Sequence, residues 1–185
     1  LNELTGGNAI IVTDVGQHQM VACRYAKFNQ SKSNITSGGL GTMGFGLPAA
    51  IGAKFGAPER TVIAIVGDGG FQMTLQELGT IMQTGLNVKI IILNNHFLGM
   101  VRQWQQLFND KRYSFVNIES PDFVALGKAY SIASQRTSDR SELKKDLANM
   151  LQHKGPYLLE IMVGKENNVF PMVPQGCSVS EIRLS

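Results

Sequence analysis

Two runs rich in β-branched apolar residues constrain the fold of this chain most: TVIAIV at residues 61–66 and VKIIIL at residues 88–93. Both are rich in β-branched residues, and neither alternates apolar with polar positions. Each therefore suits a strand buried on both faces, the setting of a parallel sheet covered by helices. Both runs stop at turn formers. Gly67-Asp68-Gly69-Gly70 follows the first and Asn94-Asn95 the second, and Asn95 lies 27 residues after Asp68. That interval holds one helix and one return strand. In a right-handed βαβ unit it brings both turns to the carboxyl edge of neighbouring strands. Open α/β sheets bind their ligands in that crevice.

The remaining pattern alternates in the same way. Further strands are expected at 9–13, 131–136 and 157–163, and helices at 17–26, 44–55, 74–84, 98–108, 121–130 and 138–152. The 44–55 stretch is small and apolar on nearly every side, which suits a helix buried against other backbone. In 74–84, Leu75, Leu78, Ile81 and Met82 fall at helical spacing and Gly85 reads as the C-cap. Pro121 sits where the next helix should begin, and Ser141 and Glu142 offer capping chemistry near the start of the last one. From Gly164 the tail, with Pro171, Pro174 and Gly176, reads as irregular. The expected architecture is a doubly wound parallel α/β sheet with helices on both faces, a single domain over residues 1–185.

Composition narrows the function classes. At 185 residues and 43% hydrophobic the chain can bury one sizeable core, and 17% charged content does not fit a disordered chain. A net charge of +3 without a Lys/Arg run supports no nucleic acid partner. No apolar run approaches a membrane span. Cys23 and Cys177 lack metal-ligand spacing and read as reduced core or loop thiols of a cytoplasmic protein. The chain starts at Leu1 instead of Met, which reads as a domain cut from something longer.

The chemistry concentrates at the two turns. The Asp68 carboxylate and the Asn95 amide oxygen are hard oxygen ligands converging on one point, as Mg²⁺ requires when phosphate oxygens and water complete its shell. Glycines 67, 69 and 70 let backbone N–H groups approach a phosphate, and a helix beginning near Thr74 points its positive end there. Either turn alone is an ordinary strand exit. Together, behind two buried strands, they form a specific motif. An unrelated nucleotide-binding domain is disfavoured, because no Gly-x-Gly-x-x-Gly turn with an acidic ribose contact and no Walker lysine is present.

Gly-Asp-Gly followed by Asn-Asn at this interval resembles the thiamine-diphosphate motif. Further stretches make the chain similar to the C-terminal domain of acetolactate (acetohydroxyacid) synthase large subunits. They are VGQHQM at 15–20, TSGGLGTMG at 36–44, LPAAIGA at 47–53, GMVRQW at 99–104, GPYLLE at 155–160 and PMVP at 171–174. The resemblance implies thiamine diphosphate with Mg²⁺ held by Asp68, Asn95 and the carbonyl of Phe97. It implies Gln17 and His18 on the diphosphate, Val15 and Gly16 lining the same turn, and Leu98, Gly99 and Met100 beside the cofactor. Met43 would wedge under the cofactor, and the Gly41 carbonyl would accept from the pyrimidine amino group. Met100, Val101 and Trp104 would line a substrate channel, although Trp104 and Met100 on one helical face equally suit core packing. His96 and His153 read as surface or loop residues. Cys177 departs from the small residues of the family's tail, and nothing after Ser178 matches it.

The implied activity is condensation of pyruvate with a second 2-keto acid, pyruvate or 2-ketobutyrate, with loss of CO₂, in branched-chain amino acid biosynthesis. The implied partners are a pyrimidine-binding domain of a neighbouring large subunit, which supplies an essential glutamate, a homo-oligomer, and a regulatory small subunit. FAD would belong to the whole enzyme and not to this domain. Such a fragment alone is expected to be inactive. Competing readings are a pyruvate oxidase, a glyoxylate carboligase, a 2-keto-acid decarboxylase, or a binding module that has lost catalysis. Asp68, Asn95 and Met43 together speak against the last.

Overall fold

The computed structural model describes residues 1–174 and 176–184. Its centre is one six-stranded parallel sheet in the order β2-β1-β3-β4-β6-β5. The strands are β1 (Ile10–Thr13), β2 (Asn34–Thr36), β3 (Val62–Gly67), β4 (Val88–Asn94), β5 (Ala133–Thr137) and β6 (Tyr157–Met162). The two apolar runs are adjacent, with Val62 opposite Val88 and Val66 opposite Ile92. From β1 the chain goes first to β2 on one side and then to β3 on the other, so the connections reverse between β1 and β3.

Alternate residues of the central strands feed two cores. Val62, Ala64 and Val66 face helices α3 (Gly46–Gly56), α5 (Leu78–Thr84) and α7 (Phe123–Ala129), packing with Leu47, Ile81 and Phe123. Ile63 and Ile65 face the other way, toward Leu4 of α1 (Asn2–Thr5), Ala22 of α2 (Gln17–Tyr25) and Met150 of α8 (Leu143–Gln152). The sheet is thus covered on both faces, as the unalternating runs require. Lys89, inside an apolar strand, reaches the strand's foot and donates to the carbonyls of His153 and Gly155 at 2.7 Å, the exposed end of α8.

Several elements differ from the sequence reading, each for a local reason. The α3 helix is not buried all round: Leu47, Ala50 and Ile51 face the core while Gly52, Phe55 and Gly56 are exposed. The helix expected over 74–84 is broken. A first helix, α4 (Asp68–Met73), starts at the Gly-Asp-Gly turn, a 3₁₀ turn (Leu75–Glu77) follows, and α5 completes the segment. Helix α7 starts at Phe123, because the Asp122 carboxylate caps the N–H groups of Val124 and Ala125. Glu142 precedes α8 without a side-chain cap. Strand β2 has three residues at the sheet edge and no apolar run to announce it. Helix α6 (Gly99–Phe108) forms as expected, and the tail folds back across it. Both cysteines are free and exposed, so neither is a core residue. Among the described residues no helix is long and apolar enough to cross a membrane.

Candidate functional site

Three carboxyl-edge turns, after β1, β3 and β4, meet at the point where the connections reverse. They enclose a cavity of about 360 Å³. The first turn contributes Val15, Gly16, Gln17 and His18, and the second Gly67, Asp68, Gly69 and Gly70. The third contributes Asn95, Phe97, Leu98 and Gly99, continued by Met100 and Val101 at the start of α6. Met43 enters from the loop before α3. Residues spread over nearly ninety positions are brought to one wall by the parallel register alone.

Two expected site residues lie elsewhere. Gly41 is in the same loop as Met43, at φ +61°, but off the cavity wall. Trp104 lines an adjoining open groove with Met20, Arg24 and Met172. Its ring packs on Phe108 at 4.8 Å, so it is shared between channel and packing roles. Met100 borders both spaces.

Asp68 is 2% exposed, and among the described residues no basic side chain pairs with it. Its Oδ2 accepts from the His96 N–H at 3.0 Å and the Ser120 hydroxyl at 3.3 Å. Burial pushes its carboxyl up, against the opposing pull of the Ser120 hydroxyl and of nearby N–H groups. A buried carboxylate without a counter-charge is costly unless a cation arrives. The Asn95 Oδ1 accepts the Phe97 N–H at 3.0 Å, which leaves it acceptor capacity for a further ligand. Among the described residues no cluster of three or more His, Cys, Asp or Glu could hold a metal. A cation here would rest on one carboxylate, one amide oxygen and a carbonyl, and would need ligands from outside the protein. That donor set suits a hard cation carrying phosphate.

His18 lies between Gly16 and Gly67: a Cβ on either would stand 3.0 Å from its Cε1. Its Nε2 is shut off from solvent and has no hydrogen-bond partner. Burial brings its pKa down to about 4, so the ring is neutral at neutral pH. An orphaned ring nitrogen in a cavity wall marks a place for a ligand group. Gln17 points differently from the expectation. Its Nε2 donates to Gln103 Oε1 and to the Asn167 carbonyl, both at 2.9 Å, so one amide proton ties the turn to α6 and the other to the tail.

The glycines also do something other than expected. The space beside each is filled by a neighbouring turn: Gly67 by His18, Gly69 by Leu98, Gly70 by Asp14 and Gly99 by Gln17. They let three turns interdigitate. Sequence reasoning missed Asp14, fully buried at the end of β1, and Ser120 on Asp68. It also missed a wall built from the tail, where Val163, Gly164, Asn167, Asn168 and Val169 line the cavity. Arg102 and Gln103, both fully buried on α6, hold that segment through Asn168 Oδ1 and the Val169 backbone. His96, read as a loop residue, sits at φ +57° and gives its N–H to Asp68 and to Asn94 Oδ1.

Known proteins carry the same segment. Residues 14–161 match the family model described as thiamine pyrophosphate enzyme, C-terminal TPP binding domain. The chain is 46% identical over 183 residues to the acetolactate synthase isozyme 2 large subunit of Escherichia coli (strain K12), covering 98% of this chain and 33% of that protein. It is 46% identical over 184 residues to the acetolactate synthase large subunit of Lactococcus lactis subsp. lactis (strain IL1403), covering 98% and 32%. The mitochondrial acetolactate synthase of Schizosaccharomyces pombe (strain 972 / ATCC 24843) is 48% identical over 174 residues, covering 94% and 26%. The chain thus spans about a third or less of these relatives' length. The matched segment begins at Asp14 and takes in all three turns of the cavity, and on that match the chain belongs to the C-terminal TPP-binding domain family of thiamine pyrophosphate enzymes.

Proposed function

We propose that this chain is the cofactor-binding domain of an acetolactate synthase, which joins pyruvate to a second 2-keto acid with loss of CO₂. The observation that carries the reading is the cavity between β1 and β3, whose wall includes Asp68, buried and without a basic partner among the described residues, and His18, buried with its Nε2 unpartnered. Asp68, Asn95 and the Phe97 carbonyl hold Mg²⁺, and the diphosphate completes its shell. His18 presents Nε2 to the diphosphate. Gln17 reaches it by exchanging its bonds to Gln103 and Asn167. Met43 supports the cofactor from below, and the Gly41 carbonyl meets the pyrimidine amino group from the adjoining loop. Leu98, Gly99 and Met100 close the far wall, and Met100, Val101 and Trp104 lead outward toward substrate. Thiamine diphosphate, when bound, would supply the carbon nucleophile and the electron sink that decarboxylation of a 2-keto acid needs.

This chain's residues orient that chemistry and keep water from it, while a second domain completes it. Asp68 is the only acidic side chain on the cavity wall among the described residues. Glu77 lies off the wall in the 3₁₀ turn and accepts from the Thr80 hydroxyl. No carboxylate is therefore offered to the pyrimidine nitrogen, which supports a glutamate from the pyrimidine-binding domain of a neighbouring large subunit. Val21 and Val101, 44% and 46% exposed on the rim, give that domain an apolar edge. The assembly is then a homo-oligomer, with FAD and any regulatory small subunit held outside this domain. Two unpaired thiols, Cys23 and Cys177, fit a reducing compartment such as the cytoplasm.

The test is product analysis with pyruvate, Mg²⁺ and thiamine diphosphate. The full-length polypeptide is expected to form 2-acetolactate, and the 185-residue chain alone to form none at a measurable rate. Acetaldehyde or acetate from pyruvate, or tartronate semialdehyde when glyoxylate replaces pyruvate, as the product of the full-length polypeptide would replace the synthase reading with another thiamine-diphosphate enzyme. Acetolactate from the isolated chain at an ordinary enzymatic rate would refute the missing glutamate.

A further inference from the structure

A fully buried acid near the site has no part in the reading above. Asp14 ends β1, is fully buried, and anchors its own N–H on the Ile65 carbonyl of β3 at 3.0 Å. Its Oδ2 accepts the Gly44 N–H at 3.2 Å, while Oδ1 has no hydrogen-bond partner. Burial pushes its carboxyl up, and the nearby N–H groups of Gly44, Val15, Gly46 and Phe45 pull the other way. Phe45 is the N-cap of α3 and offers no side-chain cap, so a carboxylate from another element stands at the start of that helix.

The surrounding sequence is cut to fit this carboxylate. A Cβ on Gly70 would collide with Asp14 Oδ2, and one on Gly46 would stand 2.8 Å from the Asp14 nitrogen. Gly44 takes φ +84°, which lets its N–H turn toward the carboxylate. Met43, immediately before it, puts its side chain into the cavity wall. One side chain therefore joins three parts of the site: the Val15–His18 turn that follows it, the loop bearing Met43, and the start of α4 at Gly70. Asp14 does not line the cavity itself, so its action is through these neighbours.

We propose that Asp14 is a positioning residue that fixes Met43 at the height the cofactor ring needs. The proposal rests on the thiamine-diphosphate reading given above. Its removal leaves the metal ligands in place but lets the 43–46 backbone move, so the cofactor binds while its reactive conformation is poorly held.

The test uses the full-length polypeptide in wild-type form and with Asp14→Ala, Met43→Ala and both together. Thiamine diphosphate binding is measured with Mg²⁺ by calorimetry, the bound cofactor's near-ultraviolet circular dichroism is recorded, and kcat and KM for pyruvate are determined. Asp14→Ala should lower kcat about 100-fold, the scale of a misplacement near 1 Å, with KM little changed and the dichroism of the bound cofactor altered. Asp14→Asn, which keeps an acceptor oxygen, should restore most of that loss. In the Met43→Ala background the further loss should nearly vanish, because both changes act through one contact. If Asp14→Ala does not fold, Asp14→Ser carries the same cycle. A lowered Tm with wild-type kcat and dichroism would make Asp14 a structural cap only, and full additivity with Met43→Ala would equally overturn the proposal. A wild-type protein that fails to bind thiamine diphosphate would instead bring down the reading on which it rests.

Discussion

Two buried acids, at β3 and β6 and two strands apart in the sheet, differ sharply in what surrounds them. Glu160 on β6 is 1% exposed and fully partnered: Oε1 accepts from Asn94 at 2.8 Å, and Oε2 accepts from Arg136 at 2.7 Å. Arg136 continues to Asp122, the cap of α7, so the charge is passed to the surface. Asp68 on the neighbouring turn is just as buried and has no cation at all among the described residues. Asp14 and His18 nearby each keep one buried atom without a partner. Around Glu160 the sheet is thus electrostatically closed, while the β1–β3 side is complete only with something added. Burial alone does not mark a functional acid. Burial without compensation does, because it costs stability that only a ligand returns.

This contrast can be broken at three places, in falling order of expected effect. The first is pH. His18 is neutral in the folded cofactor-free protein down to about pH 4, whereas the unfolded chain protonates near 6.5. A depressed folded pKa gives stability that is full above 6.5 and lost as pH falls through that value toward 4. Thermal unfolding between pH 7 and 4 should show about 3 kcal/mol of loss from this group. His18→Gln should flatten that part of the profile, and an unchanged profile would show that the ring is not held neutral.

The second place is the pair of acids. Glu160→Ala strands the Asn94 amide and frees Arg136, so unfolding should cost about 2 kcal/mol less than in wild type. Asp68→Ala removes an uncompensated charge and should leave the cofactor-free Tm unchanged or higher. Equal losses from both variants would mean that Asp68 has a partner and the comparison is false. The third and smallest effect concerns Trp104, half-buried in the outer groove against Phe108. In the full-length polypeptide Trp104→Leu should alter substrate or inhibitor affinity while costing about 1 kcal/mol or less in stability. A large fall in Tm with unchanged kinetics would assign it to packing.

The closed side and the open side were also unequally legible in the sequence. Runs 61–66 and 88–93 announce β3 and β4 to within a residue, because burial on both faces leaves little room for alternating polar positions. Their turns announce Asp68 and Asn95 for the same reason: a sheet's carboxyl edge is fixed once its strands are. Strand β2 gave no signal, since three edge residues need no apolar pattern. Asp14 carries no motif of its own, and only the crowding at Gly46 and Gly70 shows what it holds. The paired glycines hid α4, whose poor helix formers are overruled by packing of Phe71 against Phe123 at 5.3 Å. Arg102 and Gln103 are fully buried, and nothing local to α6 foretells a tail 65 residues later covering them. Gln17, matched to the diphosphate by its motif, is turned instead toward that same tail.

The central claim is that the open side becomes complete when Mg²⁺ and thiamine diphosphate bind at Asp68. Calorimetric titration of thiamine diphosphate into the full-length polypeptide, with Mg²⁺ present and after its removal by chelation, tests it most directly when repeated on Asp68→Ala. Saturable binding in the wild type that disappears on chelation, and that is absent from a folded Asp68→Ala variant, is the predicted result. Wild-type-like binding by Asp68→Ala would contradict the account.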